Sequence, residues 1–529
     1  MTNQHIPPSI FNDVIGPAMR GPSSSHCAAF ARIGLTARNL INKNLESITV
    51  VYDPNGAIAS THESQGTDMG FLSGLLGYLP TDDRLKDYKN QFKKSGIQYQ
   101  LKYQSITVDN PNICQMTLRN QKEEINLLAI STGGGMFEIT AINDFKISIT
   151  GDCFETLIFA NEENDIPLDA FENDENIISI ETIKNKSNKK LYQIKSQSEL
   201  PKQLLTSIQD KYPNISIKTN PLILPVKTPK NLSVPFITCS EMLDYNQGRG
   251  HTLSELAIIY ESARGNLEQS QIISKMTELI QLMINSILKN LKGNQFEDRV
   301  LGYQSGKYVN EVEKKSLLDI GILNLMIPYI TAMMEAKSSL DVVVAAPTAG
   351  ACAGLPGAVI GAAHSMELSE KKMTEAMLAA GMIGVFIAEK STFAAEVGGC
   401  QAECGSGSGM AAAALVSLAG GTTEQAVAAA SMAMQNVMGL ICDPVANRVE
   451  VPCLGKNVLA ATNAVANANM AMAGYDQVIP LDEVILATEK VGRNIPRECR
   501  CTALGGLSIT KTSKEIEKKL ASGNASNFE

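Results

Sequence analysis

From Pro235 onward the chain reads as one helix after another, and this feature decides most of what it can fold into. Apolar residues recur at helical spacing over Leu253–Leu291, Lys315–Glu335, Lys372–Glu389, Gly409–Ala419, Glu424–Val437 and Asn457–Met472. The turns between these stretches carry Gly, Pro and Cys: PTAGACAGLPG from Pro347, GGCQAECGSGSG from Gly398, CDPVANRVEVPC from Cys442 and RECRCTALGG from Arg497. With no Trp and only 5% aromatics, the core must be built from Ala, Leu, Val, Ile and Met packed around small residues. The pattern predicts a tightly packed all-α domain over residues 236–529, arranged around one central site.

Upstream the texture is different, so the fold class is multidomain. Short alternating runs, SITVVYDP, NICQMTLRN and INLLAIST, are separated by turn residues and followed by Gly133–Gly135. Helical patterning occurs at Ala28–Ile41 and Gly70–Leu76. Residues 1–144 therefore read as an N-terminal α+β domain. From Phe145 the order becomes βαββαβ-like, predicting a small regulatory-type segment over 145–220, although its Lys, Glu, Asp and Asn content equally fits a plain spacer. A linker at 221–235 follows, marked by Pro221, Pro225, Pro229 and Pro235.

The charge balance excludes a general nucleic-acid binder, because 46 Lys+Arg against 55 Asp+Glu leave no basic excess to neutralise phosphates. The most apolar stretches, Val342–Ala363 and Ala411–Ala419, are interrupted and lack the ~20 continuous apolar residues of a membrane helix. The opening MTNQHIPPSIFND has neither a basic start nor an apolar core, so no secretory signal is expected and a cytoplasmic protein is. Eleven cysteines, an odd number in a long chain, fit metal or redox use better than a disulfide scaffold.

Cys352, Cys400, Cys404, Cys442, Cys453 and the Cys499/Cys501 pair lie in or beside the interhelical turns. Any one of them reads most simply as a small buried hydrophobe. Taken jointly, cysteines beside Gly and Pro are poorly placed to fill a core and well placed to ligate metal. Close CxxC or HxxxH zinc pairs and clustered ferredoxin spacing are both absent. Widely spaced thiolates, acceptable to soft iron sites and to zinc, remain. The SSSH run also has a bland reading, as an N-cap for the helix near Ala28. Gly350 and Gly354 likewise fit tight helix packing as well as an anion-binding turn.

These residues resemble the iron–sulfur-dependent L-serine dehydratases. Cys400, Cys442 and Cys453 are separated by 41 and 10 residues, the family's cluster spacing. APTAGACAGLPG, AEVGGCQAECGSGSGMAAAA, CDPVANRVEVPC and CTALGGL match the surrounding text, and GPSSSHCAAFARIG and STGGGMFEI match its upstream part. The resemblance implies a single-chain form with a β part followed by an α part. It implies a [4Fe-4S] cluster on Cys400, Cys442 and Cys453, one iron of which has no protein ligand and acts as a Lewis acid toward the β-hydroxyl of L-serine. Pyruvate and ammonia would be the products. His26 becomes the candidate base, Ser23, Ser24, Ser25, Thr348, Ala349 and Gly350 the substrate-binding set, and a homodimer the assembly. His251 and His364 are expected to be structural, and His5 lies in a polar terminus.

The chain departs from that pattern in four places. Cys27 stands where the family's signature has Thr, and Gln65 where many relatives have the His of GHGTD, with His62 three residues earlier. The stretch Gly523–Glu529 holds no cysteine to cap the open iron; Cys352, Cys404, Cys499 and Cys501 are the alternatives. The segment from Phe145 resembles an ACT module whose ligand-binding turn is replaced by ANEENDIPLDAF, implying a degenerate one. An L-cysteine desulfidase or related β-eliminating lyase, and a non-catalytic iron–sulfur redox sensor, are the competing expectations.

Overall fold

The computed structural model describes residues 6–108, 110–168, 171 and 174–522. His5, the 523–529 stretch and four residues around Phe171 lie outside them. Two short strands, β1 (Ala18–Met19) and β12 (Val343–Val344), pair antiparallel and stitch the N-terminal part to the helical part. The main N-terminal sheet contains β2 (Ser47–Tyr52), β3 (Gln98–Tyr103), β4 (Ile113–Arg119), β5 (Glu124–Gly133), β6 (Met136–Ile142) and β7 (Phe145–Ile149), in the order β3-β2-β4-β5-β6-β7. Only β2 and β3 run parallel. Strand alternation turns Ile125, Leu127 and Ala129 of β5 inward, and the same period places Ser131 on the buried face.

Two helices, Ala29–Leu40 and Thr67–Leu75, cover this sheet, and they pack backbone to backbone. A methyl group on Gly70 would stand 2.0 Å from Cys27 O, and one on Gly74 2.1 Å from Ala31 O. Glycine is required there by space, not by dihedral angle. The close approach fixes the turn carrying Ser23 to His26, which immediately precedes the first helix.

A second sheet follows, with β8 (Phe154–Ala160), β9 (Ile177–Lys184), β10 (Lys190–Ser196) and β11 (Ser216–Asn220) in the antiparallel order β11-β8-β10-β9. The helix Lys202–Lys211 joins its last two strands. The FKISIT strand does not begin this unit: β7 pairs with β6 and closes the first sheet, through Ile142↔Phe145 and Ile139↔Ile149. The 221–235 stretch is pinned, because Val226 N–H donates to Asn12 Oδ1 (3.0 Å) while Asn12 Nδ2 donates to Val226 O (2.8 Å).

The helical part follows the 3.6-residue pattern with three differences, the first being that the helix expected from Lys315 begins at Leu323, after Lys315 turns left-handed (φ 55°). The Leu253–Leu291 stretch is two helices, Leu253–Gly265 and Gln269–Asn290, broken where Asn266 takes a left-handed conformation (φ 49°) and Glu268 and Gln271 form a new capping box. The helix expected from Asn457 starts at Cys453 itself. The segment 10–14 threads into this domain, with Ile10 and Val14 filling the gaps over Gly381 and Gly384. The two halves are thus interlocked within one chain. Among the described residues no helix is long and apolar enough to cross a membrane.

Candidate active site

Gln401 brings the first two cysteine turns together. Its Nε2 donates to Thr488 O (2.7 Å), its Oε1 accepts from Gly439 N–H (2.7 Å), and its own N–H donates to Leu440 O (2.9 Å). Cys400, just after left-handed Gly399 (φ 70°), is thereby held beside Cys442. Cys442 is in turn bridged to the third turn, its N–H donating to Cys499 O (2.8 Å) and its carbonyl accepting from Cys501 N–H (3.1 Å). Cys400, Cys404, Cys442 and Cys501 form one buried cluster of free thiols.

One ligand atom each of Cys400, Glu403 and Cys442 lies within 4.8 Å of the other two. Cys453 stands outside this trio, at the first turn of its helix, near enough that the charge of Cys400 acts on it. Asn457, one turn further, ties that helix to the PTAG turn. Its Nδ2 donates to Cys453 O (2.8 Å) and Gly350 O (2.9 Å), and its Oδ1 accepts from Gly354 N–H (2.7 Å).

Hydrogen bonds from the Cys404 and Cys442 thiols hold Cys400 well below the ordinary thiol range, so it is the group most disposed to be a thiolate. The hydrogen bond to Cys400 raises the thiols of Cys404 and Cys442, with a second bond to Cys501 for Cys442 and burial adding to both, while burial first and the charge of Cys400 next raise that of Cys453. Two cations, a buried and a half-buried one, offset this charge. Lys337 Nζ, fully enclosed, bonds Val449 O, and Lys456 Nζ donates to Ile441 O (2.6 Å) and Asp443 Oδ1 (2.8 Å). Burial, aided by the charge of Cys400, pushes the Glu403 carboxyl up to about 8. The donor set is soft, buried and charge-compensated, which fits a thiolate-held iron–sulfur group.

The SSSH turn meets this region through the PTAG turn. Ala349 N–H donates to Ser24 Oγ (3.2 Å), while Thr348 Oγ1 donates to Glu403 Oε1 (2.6 Å). A methyl on Gly350 would come 2.5 Å from that same Glu403 oxygen. The N–H of Ala349, expected to help form an anion nest, is therefore already engaged by Ser24. Ser25 is buried in the same turn and makes none of these contacts.

His26 is wholly buried, and both ring nitrogens have partners. Nε2 lies 3.0 Å from Thr61 Oγ1, and Nδ1 lies 3.1 Å from Ser23 Oγ and 3.3 Å from Glu396 Oε1. Thr61 donates its hydroxyl proton to Ala57 O (2.6 Å), so it accepts from His26 Nε2–H. Neutral His26 then carries its lone pair on Nδ1, where it accepts from the Ser23 hydroxyl with the Glu396 carboxylate beside it. Burial outweighs that carboxylate and lowers the His26 pKa below 6.5.

The description "Serine dehydratase alpha chain" belongs to the family pattern that matches residues 167–508. The chain belongs to this family. It is 33% identical to the "Probable L-serine dehydratase, alpha chain" of Bacillus subtilis over 54% of this chain and 96% of that protein. The "Probable L-serine dehydratase, beta chain" of the same organism is 37% identical over 29% of this chain and 69% of its own length. "L-serine dehydratase 1" of Escherichia coli is 27% identical over 92% of this chain and 96% of its own. Two Bacillus proteins thus each match part of a single chain here, and an Escherichia protein matches nearly all of it.

Gln65 Nε2 stands 3.3 Å from Cys501 Sγ and 3.3 Å from Asn447 Oδ1, so it reaches the cysteine site. His62 bonds Asp68 Oδ2 (2.6 Å) through Nδ1 and Tyr103 OH (2.8 Å) through Nε2. His364 is bonded to Tyr329 OH (2.9 Å) and His251 lies 4.0 Å from Glu255. Sequence reasoning missed Glu396, Glu403, Thr61 and Asn457. One signal was available, because Glu396 and Glu403 are the sole charges between Ser391 and Thr423.

Proposed function

We propose that the protein is an L-serine dehydratase, a lyase releasing pyruvate and ammonia, with a [4Fe-4S] cluster held by Cys400, Cys442 and Cys453. The convergence of Cys400, Glu403 and Cys442 ligand atoms within 4.8 Å, joined to the His26–Glu396 pair through the PTAG turn, carries this reading. When bound, the cluster supplies a Lewis-acidic iron without a protein ligand, which eases departure of a hydroxyl group. His26 takes the substrate Cα proton at Nδ1 once the Ser23 hydroxyl turns its proton away, and the Glu396 carboxylate stabilises the imidazolium so formed. Ser23 orients the imidazole, and Thr61 fixes its tautomer from the other side. Burial of all three thiols and His26 keeps bulk water from the carbanion-forming step.

A redox sensor needs cysteines and no base, so the buried His–Glu pair favours catalysis over sensing. The unit of β8 to β11 with its helix, residues 154–220, reads as a degenerate ACT-like module, on its antiparallel strand order. The test is an anaerobic assay of the iron-loaded protein with L-serine, L-threonine and L-cysteine. Pyruvate and ammonia in equal amounts, with L-serine the best substrate, support the reading. Sulfide release from L-cysteine alone replaces it with a desulfidase, and no turnover of any of the three overturns both.

A further inference from the structure

Lys337 lies in the last turn of the helix Leu323–Ser338 and is wholly shut from solvent, at 0% exposed. An ammonium has three N–H donors. The described residues give this one a single acceptor, the carbonyl of Val449, and no carboxylate within 4.0 Å. Lys456, the other cation of the region, differs, because Asp443 Oδ1 answers its charge at 2.8 Å. A buried ammonium without a counter-charge is strongly destabilising, so the functional protein must place an anion beside Lys337.

The surrounding carboxylates are committed elsewhere. Glu335, two positions earlier on the same helix, accepts from Gln304 N–H (2.6 Å) and Ser305 N–H (2.9 Å). Glu450 accepts from Val300 N–H (2.9 Å) and Leu301 N–H (2.8 Å). The last carbonyls of its own helix, the usual partners of a lysine so placed, are not bonded by Lys337 either. Val449 instead belongs to the turn between Cys442 and Cys453, so the bond seats the ammonium against the backbone that carries both cysteines. At the thiols of Cys352 and Cys453 burial dominates, and the charge of Lys337 is the largest influence against it. The same charge acts on Cys400 and Glu403. With no exposed surface, Lys337 is out of reach of a ligand arriving in solution, so its anion is one built into the cysteine site.

We propose that Lys337 is the counter-ion of the iron–sulfur cluster, a positioning residue that acts on the reaction through the cluster's charge. Three thiolates on a doubly cationic four-iron core leave one net negative charge, and Lys337 brings one positive charge to balance it. A fixed cation at this place favours the uptake of an electron and draws electron density from the irons. It therefore raises the reduction potential and strengthens the Lewis acidity on which departure of the hydroxyl group depends. The inference rests on the serine dehydratase reading, with its cluster on Cys400, Cys442 and Cys453.

The full chain is reconstituted anaerobically with iron and sulfide as wild type, Lys337→Met and Lys337→Arg. Met keeps the apolar stem and removes the charge, whereas Arg keeps the charge. Iron per chain, the rate of iron loss to a chelator and the midpoint potential, from a reductive titration followed by electron paramagnetic resonance, are measured on each. Lys337→Met is expected to lose iron about tenfold faster or more and to shift its midpoint potential to more negative values, while Lys337→Arg stays with the wild type on both. A Lys337→Met protein that takes up no iron, beside a Lys337→Arg protein with the full complement, also upholds the proposal. Full iron in Lys337→Met at an unmoved potential overturns it. Loss of iron from both variants overturns it too, because a merely structural lysine behaves that way. Wild type that takes up no iron overturns the cluster reading itself, a failure distinct from either of these.

Discussion

His26 Nδ1 lies 3.3 Å from Glu396 Oε1, with both side chains shut away from solvent. The relationship joins the two halves of the chain, since His26 precedes the first helix of the N-terminal part and Glu396 sits four residues before Cys400. A neutral imidazole and a carboxylate so placed form a base whose protonated state is already compensated. Thr61 completes the arrangement by committing the proton to Nε2.

Substitution of His26 by Asn removes the proposed base. Pyruvate release from L-serine is expected to fall by about 10²–10⁴-fold, with iron content and visible spectrum unchanged. Retention of more than about a tenth of the rate would show that another group takes the proton.

The acid limb of kcat/KM reports the same group. The base works deprotonated, and burial holds His26 below 6.5, so activity stays level as pH falls to that value and declines only beneath it. The Glu396 charge pushes the His26 pKa upward. In Glu396→Gln the limb therefore moves to lower pH while the plateau drops. A limb at or above 6.5 in the wild type, or one moving upward in the variant, contradicts the assignment.

Cluster retention separates the cysteines. Cys400→Ala, Cys442→Ala and Cys453→Ala are each expected to lose bound iron and sulfide after anaerobic reconstitution. Cys114→Ala, on β4 and packed in the N-terminal core, keeps the wild-type iron content. Iron analysis of the four variants checks this directly.

Helix spacing in the N-terminal part is set by glycine. Gly74→Ala places a methyl 2.1 Å from Ala31 O, a backbone atom that cannot rotate away. The clash costs about 3 kcal/mol against a helix-propensity gain of ~1 kcal/mol, a net loss of about 2 kcal/mol. Chemical denaturation should show it, whereas Gly302→Ala, with nothing within 4 Å, shows no comparable loss.

The helical half was readable because its apolar periodicity is a local property. The breaks were less so: Asn266 ends a helix by turning left-handed inside an otherwise continuous apolar pattern. The strand Phe145–Ile149 alternates like its successors, and only its pairing with β6 assigns it to the first sheet. The cysteine spacing pointed to Cys400, Cys442 and Cys453, but what gathers the turns is Gln401, reaching Thr488 and Gly439 across the fold. Such long-range side-chain bonds leave no periodic trace. The same holds for Glu396, whose meaning depends on a histidine 370 positions earlier in the chain.

The central claim is an iron without a protein ligand, held beside His26 and open to the amino acid. ⁵⁷Fe Mössbauer spectroscopy of the anaerobic protein, recorded with and without L-serine, tests it most directly. The account predicts about four irons per chain, of which one changes its spectrum when L-serine is added while three stay as they were. Four irons that all remain unchanged, or a protein that holds no iron when all its thiols are reduced, would contradict it.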